Sequence, residues 1–168
     1  MSEPLDRRLF LAGAAATLSA LLGERGLSAA HLPAAQDEPV FEGPPVKVAL
    51  IGVGPWGREL LTHIGRLPSL QLVAVCESYA PFLKRAQEAA PKAQALADYK
   101  AVLASADVEA VIIATPTPTH RDLAVAALQA GKHVYCEAPL AHTIDDARAI
   151  ARAAKAASKQ VFAVGLQG

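Results

Sequence analysis

Short apolar segments alternate with longer amphipathic segments along the chain from residue 46 onwards. The short segments lack the alternation of polar and apolar residues that marks a half-exposed strand, so they predict strands buried on both faces. Strands of this kind are typical of a parallel sheet. The predicted strands cover residues 46–51, 71–76, 109–114, 133–136 and 160–165, with a weaker one around 94–97.

Helical periodicity and helix-end signals mark the segments between these strands. Two pairs have the spacing of a capping box, Thr119 with Asp122 and Thr143 with Asp146. Gly131 stands where a left-handed C-terminal cap belongs. The predicted helices cover residues 55–67, 80–90, 98–106, 119–131 and 143–158. This succession predicts an α/β fold with a doubly wound parallel sheet, the Rossmann arrangement, whose ligand crevice lies at the carboxyl ends of the strands.

The N-terminal part of the chain does not share this alternation. Arg7 and Arg8 precede an apolar run over residues 9–23 that is diluted by Ala, Gly and Thr. The arrangement predicts a twin-arginine export signal over residues 1–30, and therefore a periplasmic location. Because the run is shorter than the about 20 residues that cross a bilayer core, no stable membrane anchor is expected. Residues 31–45, rich in Pro and Ala, predict a flexible linker.

Composition narrows the classes of function. A chain of 168 residues buries one core more readily than two, so residues 46–168 are predicted to form a single dinucleotide-binding domain. Sixteen basic residues balance sixteen acidic ones, and aromatic residues are few, which argues against a nucleic-acid partner and favours a small-molecule ligand. Cys76 and Cys136 have no metal-ligand spacing, so neither a metal site nor a disulfide framework is predicted.

A glycine motif follows the first predicted strand directly. Gly52 can make the tight turn, Gly54 lets backbone amides approach a pyrophosphate, and Gly57 permits close packing of helix on strand. Pro55 suits the first turn of a helix, and Trp56 is expected in the crevice wall. We therefore expect these residues to hold a dinucleotide, with a plain glycine turn as the alternative.

An acidic residue, Glu77, ends the second predicted strand about 20 residues after the glycine motif. Its carboxylate can accept hydrogen bonds from ribose hydroxyls and would repel a 2′-phosphate, so NAD is favoured over NADP. Lys84 or Arg85 on the next helix could supply positive charge to an NADP site. A solvated carboxylate without function is the alternative.

A family resemblance rests on four segments, VALIGVGPWGREL, VAVCE, VEAVIIATPTPTHRDLAVAALQAGKHVYCEAPLA and VFAVG. In order and spacing they resemble the N-terminal domain of the glucose–fructose oxidoreductase, inositol dehydrogenase and MocA family. The resemblance implies NAD(P)-dependent oxidation or reduction of a sugar, cyclitol or related polyol, in a protein that can form oligomers. It also implies that Thr115, Pro116 and His120 line the cofactor crevice near the nicotinamide and that Glu137 lies beside it. For His120 a structural role is an equal alternative.

Two features depart from that family. Its Glu-Lys-Pro motif has Ala138 in place of the lysine that usually polarises the substrate hydroxyl, so no catalytic residue can be assigned. The family's second domain, an α+β domain that contacts the substrate, is expected to be absent from this chain. Two hypotheses follow: the cofactor domain of an exported NAD-dependent oxidoreductase, or a non-catalytic nucleotide-binding module or complex subunit. NAD-dependent glycoside cleavage is a third.

Overall fold

The computed structural model describes residues 43–165. The predicted signal over residues 1–30, and the predicted linker as far as residue 42, lie outside the described residues. The described part contains one six-stranded sheet in which every strand pair is parallel. Its strands are β1 (Val46–Ile51), β2 (Leu70–Cys76), β3 (Gln94–Leu96), β4 (Ala110–Ile113), β5 (His133–Cys136) and β6 (Phe162–Val164).

Helices connect consecutive strands. The first one ends at Ile64, slightly before the predicted end, and Gly65 is its C-terminal capping residue. Within residues 43–165, no helix has both the length and the apolar character that a membrane span requires. The helices are α1 (Pro55–Ile64), α2 (Ala80–Ala89), α3 (Tyr99–Ala104), α4 (His120–Gln129) and α5 (Ile144–Ala156), and a 3-10 turn (Thr117–Thr119) precedes α4.

The strand order is β3-β2-β1-β4-β5-β6, which confirms the predicted doubly wound sheet. The chain builds outward from β1 to β3, returns to pair β4 with β1, and then builds outward in the opposite direction. The order therefore reverses between β1 and β4. Ligands of open α/β sheets bind at this switch point, outside the carboxyl ends of the strands.

Both faces of the sheet are buried, as the continuously apolar strands predict. On one face Ile51, Val111 and Cys136 lie in a core with residues of α3, α4 and α5. On the other face Val48 and Leu50 lie in a core with residues of α1 and α2. Each large apolar side chain buried in this way stabilises the fold by roughly 1.5–3 kcal/mol. The two cores hold the carboxyl ends of the strands in fixed positions.

The helix ends agree with the predictions at two places. The Thr143 hydroxyl accepts a hydrogen bond from the backbone N–H of Asp146 at 3.1 Å, which is the predicted cap of α5. Gly131, which follows α4, has φ +75°, the left-handed conformation expected of a C-terminal cap. The N–H of Lys132 then reaches back to the carbonyl of Ala127 at 3.0 Å and closes the helix end.

The predicted capping box of Thr119 with Asp122 is wrong. The Thr119 hydroxyl donates to the carbonyl of Pro116 at 2.8 Å and makes no side-chain cap of α4. The physical reason is the 3-10 turn before α4, which gives Thr119 near-helical backbone angles (φ −94°, ψ −9°) in place of the extended ones that a capping residue needs.

Cys76 and Cys136 are both buried and both free. They lie in one row across the sheet, Cys76 beside Ile51 and Cys136 beside Ile113. Strands β1 and β4 stand between them, which places them about 14 Å apart at about 4.8 Å per strand. A disulfide between them is therefore impossible in this fold.

Candidate functional site

A cleft of about 890 Å³ opens at the carboxyl ends of β1, β2 and β4. The glycine loop after β1, the loop after β2 and the loop after β4 form its walls. It lies at the switch point of the sheet, where the fold predicts a ligand. Seven of the ten residues predicted to bind the cofactor line this cleft: Gly52, Gly54, Pro55, Trp56, Glu77, Thr115 and Pro116.

The three glycines of the loop have different roles. Gly52 has φ +91°, and a Cβ there would lie 2.7 Å from the backbone carbonyl of Ala114. A Cβ on Gly57 would collide with the backbone of Gly52, so Gly57 lies behind the loop and outside the cleft lining. A Cβ on Gly54 would meet no atom within 4 Å. The fold therefore requires Gly52 and Gly57, whereas the space beside Gly54 is open to a ligand.

The N-terminus of α1 suits an anionic ligand. Its capping residue, Gly54, has no side chain to bond the free amides, and the first turn contains no acidic residue. Pro55 opens the helix without needing a hydrogen-bond acceptor for its nitrogen. The unpaired amides and the positive end of the helix dipole therefore face the open space beside Gly54. A diphosphate group fits this combination of charge and space.

Glu77 begins the loop after β2 and is half-buried in the cleft wall. Its Oε2 accepts a hydrogen bond from the backbone N–H of Val53 at 3.2 Å. Its Oε1 accepts from the N–H of Tyr79 at 3.0 Å and the hydroxyl of Ser78 at 3.3 Å. A carboxylate has about four acceptor positions, so it retains capacity for a ribose hydroxyl.

An aromatic wall beside Glu77 was missed by the sequence reasoning. The rings of Tyr79 and Phe82 meet edge to face with centroids 5.0 Å apart, and both line the cleft. Tyr99 also lines it, from the start of α3. Aromatic walls of this kind suit a planar base. The available signal was the pair of aromatic residues that closely follows the acidic strand end.

His120 lies behind the cleft wall and is absent from its lining. Its side chain is buried, with the residue 1% exposed. Nε2 lies 2.8 Å from the carbonyl oxygen of Thr115, and Nδ1 lies 3.1 Å from that of Pro139. The imidazole thus joins the loop after β4 to the loop after β5. This geometry supports the structural alternative over direct contact with a cofactor.

Glu137 is also buried, at 7% exposure, and does not line the cleft. It is grouped with Tyr135 beside Gly165, where an added Cβ would lie 3.0 Å from Glu137 Oε2 and 2.8 Å from the Tyr135 ring. Burial raises the pKa of Tyr135, and its hydrogen bond to the Glu137 side chain raises that pKa further. The pair therefore consists of a protonated phenol and an acceptor, close under the loop after β5.

Ala138 is exposed on that loop, between Glu137 and Pro139. Its methyl group can neither donate nor accept a proton. His142, further along the same loop, lies 3.7 Å from the carboxylate of Asp146. Of the titratable side chains near Ala138 in sequence, Glu137 is buried beside Tyr135, and His142 lies beside Asp146.

Residues 46–165 match the model of the Gfo/Idh/MocA family, an oxidoreductase family with an NAD-binding Rossmann fold. An inositol 2-dehydrogenase of Rhodococcus erythropolis is 37% identical over 123 aligned residues, and the match covers 71% of this chain and 35% of that protein. A glycosyl hydrolase family 109 protein of Shewanella amazonensis is 31% identical over 159 aligned residues, covering 84% of this chain and 35% of that protein.

A solved structure is similar as well. The myo-inositol 2-dehydrogenase from Lactobacillus plantarum has a TM-score of 0.67 at 28% identity, and the match covers 72% of this chain and 36% of that one. The chain spans about a third of the length of these relatives. The matched residues include the whole sheet and the cleft with its open glycine loop. The chain therefore belongs to this oxidoreductase family, and residues 46–165 are its NAD-binding Rossmann domain.

Proposed function

We propose that this chain is the cofactor-binding part of an exported oxidoreductase that uses NAD to oxidise or reduce a cyclitol, a sugar or a related polyol. The observation that carries the proposal is the glycine loop, where the fold leaves open space at Gly54 while it fills the space at Gly52 and Gly57. That space lies at the first backbone amides of α1. The cleft extends from it to the loop after β2 and to the loop after β4.

Different residues of the cleft would contact different parts of the cofactor. The amides at the start of α1 would hold the diphosphate, and the Glu77 carboxylate would face the ribose hydroxyls of the adenosine half. Thr115 and Pro116 form the wall on the side of β4. When bound, NAD supplies the chemistry of the family by accepting or returning a hydride.

The relatives include inositol dehydrogenases, which supports the proposed class of substrate. A cyclitol carries many hydroxyl groups, and one of them must lose or gain a proton when hydride is transferred at its carbon. Ala138 cannot serve that proton, so the acid or base must come from another residue of the protein. The names of the relatives are those of enzymes, which favours this proposal over a non-catalytic binding module.

Export through the twin-arginine route is part of the proposal. Arg7 and Arg8 ahead of the diluted apolar run support it. The route carries folded proteins, so the cofactor would be acquired before transport and retained afterwards. Changing both arginines to lysine should leave the protein in the cytoplasmic fraction, whereas unchanged recovery from the periplasm would contradict this part.

Glycoside cleavage with NAD is a second candidate. It is favoured by the match to the Shewanella amazonensis glycosyl hydrolase family 109 protein, which covers 84% of this chain, against 71% for the inositol 2-dehydrogenase. A hydrolase that used hydride transfer only transiently would regenerate its NAD in each turnover and would need no second redox substrate. That property suits an exported protein with a retained cofactor.

One assay separates the two candidates. The protein expressed from its complete reading frame is incubated with NAD and a panel of inositols and sugars, and NADH is followed by its absorbance. A parallel panel of nitrophenyl glycosides reports hydrolysis. NADH formation with a polyol supports the first proposal, and nitrophenol release without NADH accumulation supports the second. Activity in neither panel would contradict both.

A further inference from the structure

We propose that Glu77 positions the phosphate-binding loop in addition to facing the ribose. Substitution of this residue would then alter diphosphate binding as well as the choice between NAD and NADP. The inference rests on the proposed function of the cleft as a nucleotide site.

The contact that carries the inference joins Glu77 to the centre of the glycine loop. Val53 lies between Gly52 and Gly54, and its backbone N–H donates to Oε2 of Glu77 at 3.2 Å. The turn is held at its start by the bond from the N–H of Gly52 to the carbonyl of Cys76, at 2.8 Å. The Glu77 carboxylate therefore fixes the loop one residue before the glycine that faces the ligand.

The other oxygen of the same carboxylate holds the loop after β2. It accepts from the Tyr79 N–H at 3.0 Å, at the capping position of α2. One side chain thus connects the loop that meets the diphosphate with the loop that meets the adenosine. The two walls of the cleft keep their spacing through this bridge.

The bridge requires a carboxylate, because donors approach it from both sides. A carboxylate offers two acceptor oxygens, whereas an amide offers one oxygen and an NH₂ group that can only donate. Glu77→Gln would therefore set its NH₂ group against the N–H of either Val53 or Tyr79. Glu77→Asp retains the charge but is one methylene shorter, so it cannot reach both donors in their present positions.

This double role changes the expected effect of substitutions that are meant to switch the cofactor from NAD to NADP. Glu77→Ser combined with Ser78→Arg should shift the preference towards NADP, because a repulsive charge is replaced by a pairing one. The same exchange removes the acceptor of the Val53 N–H. We therefore expect the affinity for both cofactors to fall while their ratio changes.

The first test needs no ligand. Amide hydrogen exchange at Val53 is measured by NMR in the unchanged chain and in Glu77→Ala, which removes both acceptor oxygens. Exchange should accelerate at least about tenfold in the variant, since a charge-assisted hydrogen bond is lost. Unchanged protection of Val53 would overturn the inference.

A matched control lies at the amino ends of β1 and β4, the two central strands. Oε2 of Glu109 accepts from the backbone N–H of Lys47 at 2.8 Å, so this glutamate also bonds a distant backbone amide. Glu109→Ala should accelerate exchange at Lys47 and leave Val53 unaffected. Acceleration at Val53 in this variant would mean general loosening of the domain and would count against a specific bridge.

The second test separates the loop from the ribose. Binding of ADP and of 2′,3′-dideoxyadenosine 5′-diphosphate, which lacks the ribose hydroxyls, is measured by calorimetry. Glu77→Ala should weaken both by about tenfold. A loss confined to ADP would restrict Glu77 to the ribose and overturn the inference. If the unchanged chain binds neither compound, the proposed function fails. The rate of amide hydrogen exchange at Val53 then still shows whether Glu77 holds the glycine loop.

Discussion

The two ends of the cleft are built in different ways. At the end that we propose binds the diphosphate, here called the diphosphate end, the turn, the open space and the helix start all lie within residues 52–57. At the other end, Thr115 is held by His120, which in turn contacts Pro139 on a different loop. The residues of the first end are consecutive in sequence and are contacted by Glu77 and Ala114, whereas the second end is assembled from two separate loops.

The two ends also differ in the groups that they offer to a ligand. The diphosphate end keeps each feature that anion binding needs, because Gly52 and Gly57 are required by the fold itself. At the other end the chain carries Ala138, an exposed residue without a polar side chain.

The largest expected effect breaks the diphosphate end. Gly57→Ala places a methyl group against the backbone of Gly52, where neither partner can move without shifting the turn. We expect the free energy of unfolding to fall by about 3 kcal/mol or more. Urea denaturation followed by circular dichroism measures it. Gly54→Ala is the matched control, and its cost should stay within about 0.5 kcal/mol because its Cβ meets open space.

The next effect breaks the other end. His120→Ala would remove a fully buried side chain and the hydrogen bond that its imidazole N–H donates to the carbonyl of Thr115 or of Pro139. We expect a loss of about 2–4 kcal/mol of unfolding free energy, since an acceptor without its donor costs about 1–3 kcal/mol and the missing ring leaves a cavity. His120→Gln, which keeps a donor, should lose less. Equal stability of the alanine variant and the unchanged chain in urea would show that the two loops do not depend on His120.

The same contrast explains how much could be predicted from the sequence. The strands were predictable because continuous apolar runs reflect burial on both faces, and even the three-residue β3 left a weak signal. The conformation of the loop at Gly54 was predictable because the glycine spacing stands between a strand and a helix start. Thr119 and His120 were not, because a 3-10 turn altered the cap and the partner of the imidazole lies 19 positions further along the chain.

A smaller effect concerns the two buried thiols, Cys76 in β2 and Cys136 in β5. Burial, with the charges of Asp98 and Glu77, raises the pKa of the Cys76 thiol from 9.0 to about 11. Burial, with the charge of Glu137, raises that of Cys136 to about 12. Because folding favours the protonated thiols, their contribution to stability is complete below about pH 9 and is lost as pH rises through these values.

Both thiols should therefore resist iodoacetamide at pH 8 in the folded chain and react fully in denaturant. Intact mass spectrometry should show no adduct in the native sample and two after unfolding. Rapid modification of Cys136 alone in the native sample would have a different meaning. It would show that the structure around the end of β5 opens more readily than the structure around the end of β2. The stability curve between pH 8 and 12, with Cys76→Ala and Cys136→Ala as references, checks the pH dependence.

The most direct test of the central claim uses Gly54→Val, which fills the open space without meeting other atoms of the fold at its Cβ. Calorimetry of NAD binding is compared between this variant and the unchanged chain, with thermal unfolding as the check on folding. We predict that the unchanged chain binds NAD, and that the variant keeps its melting temperature but binds at least about a hundredfold more weakly. Equal NAD binding by both proteins would contradict the assignment of this loop as the diphosphate site.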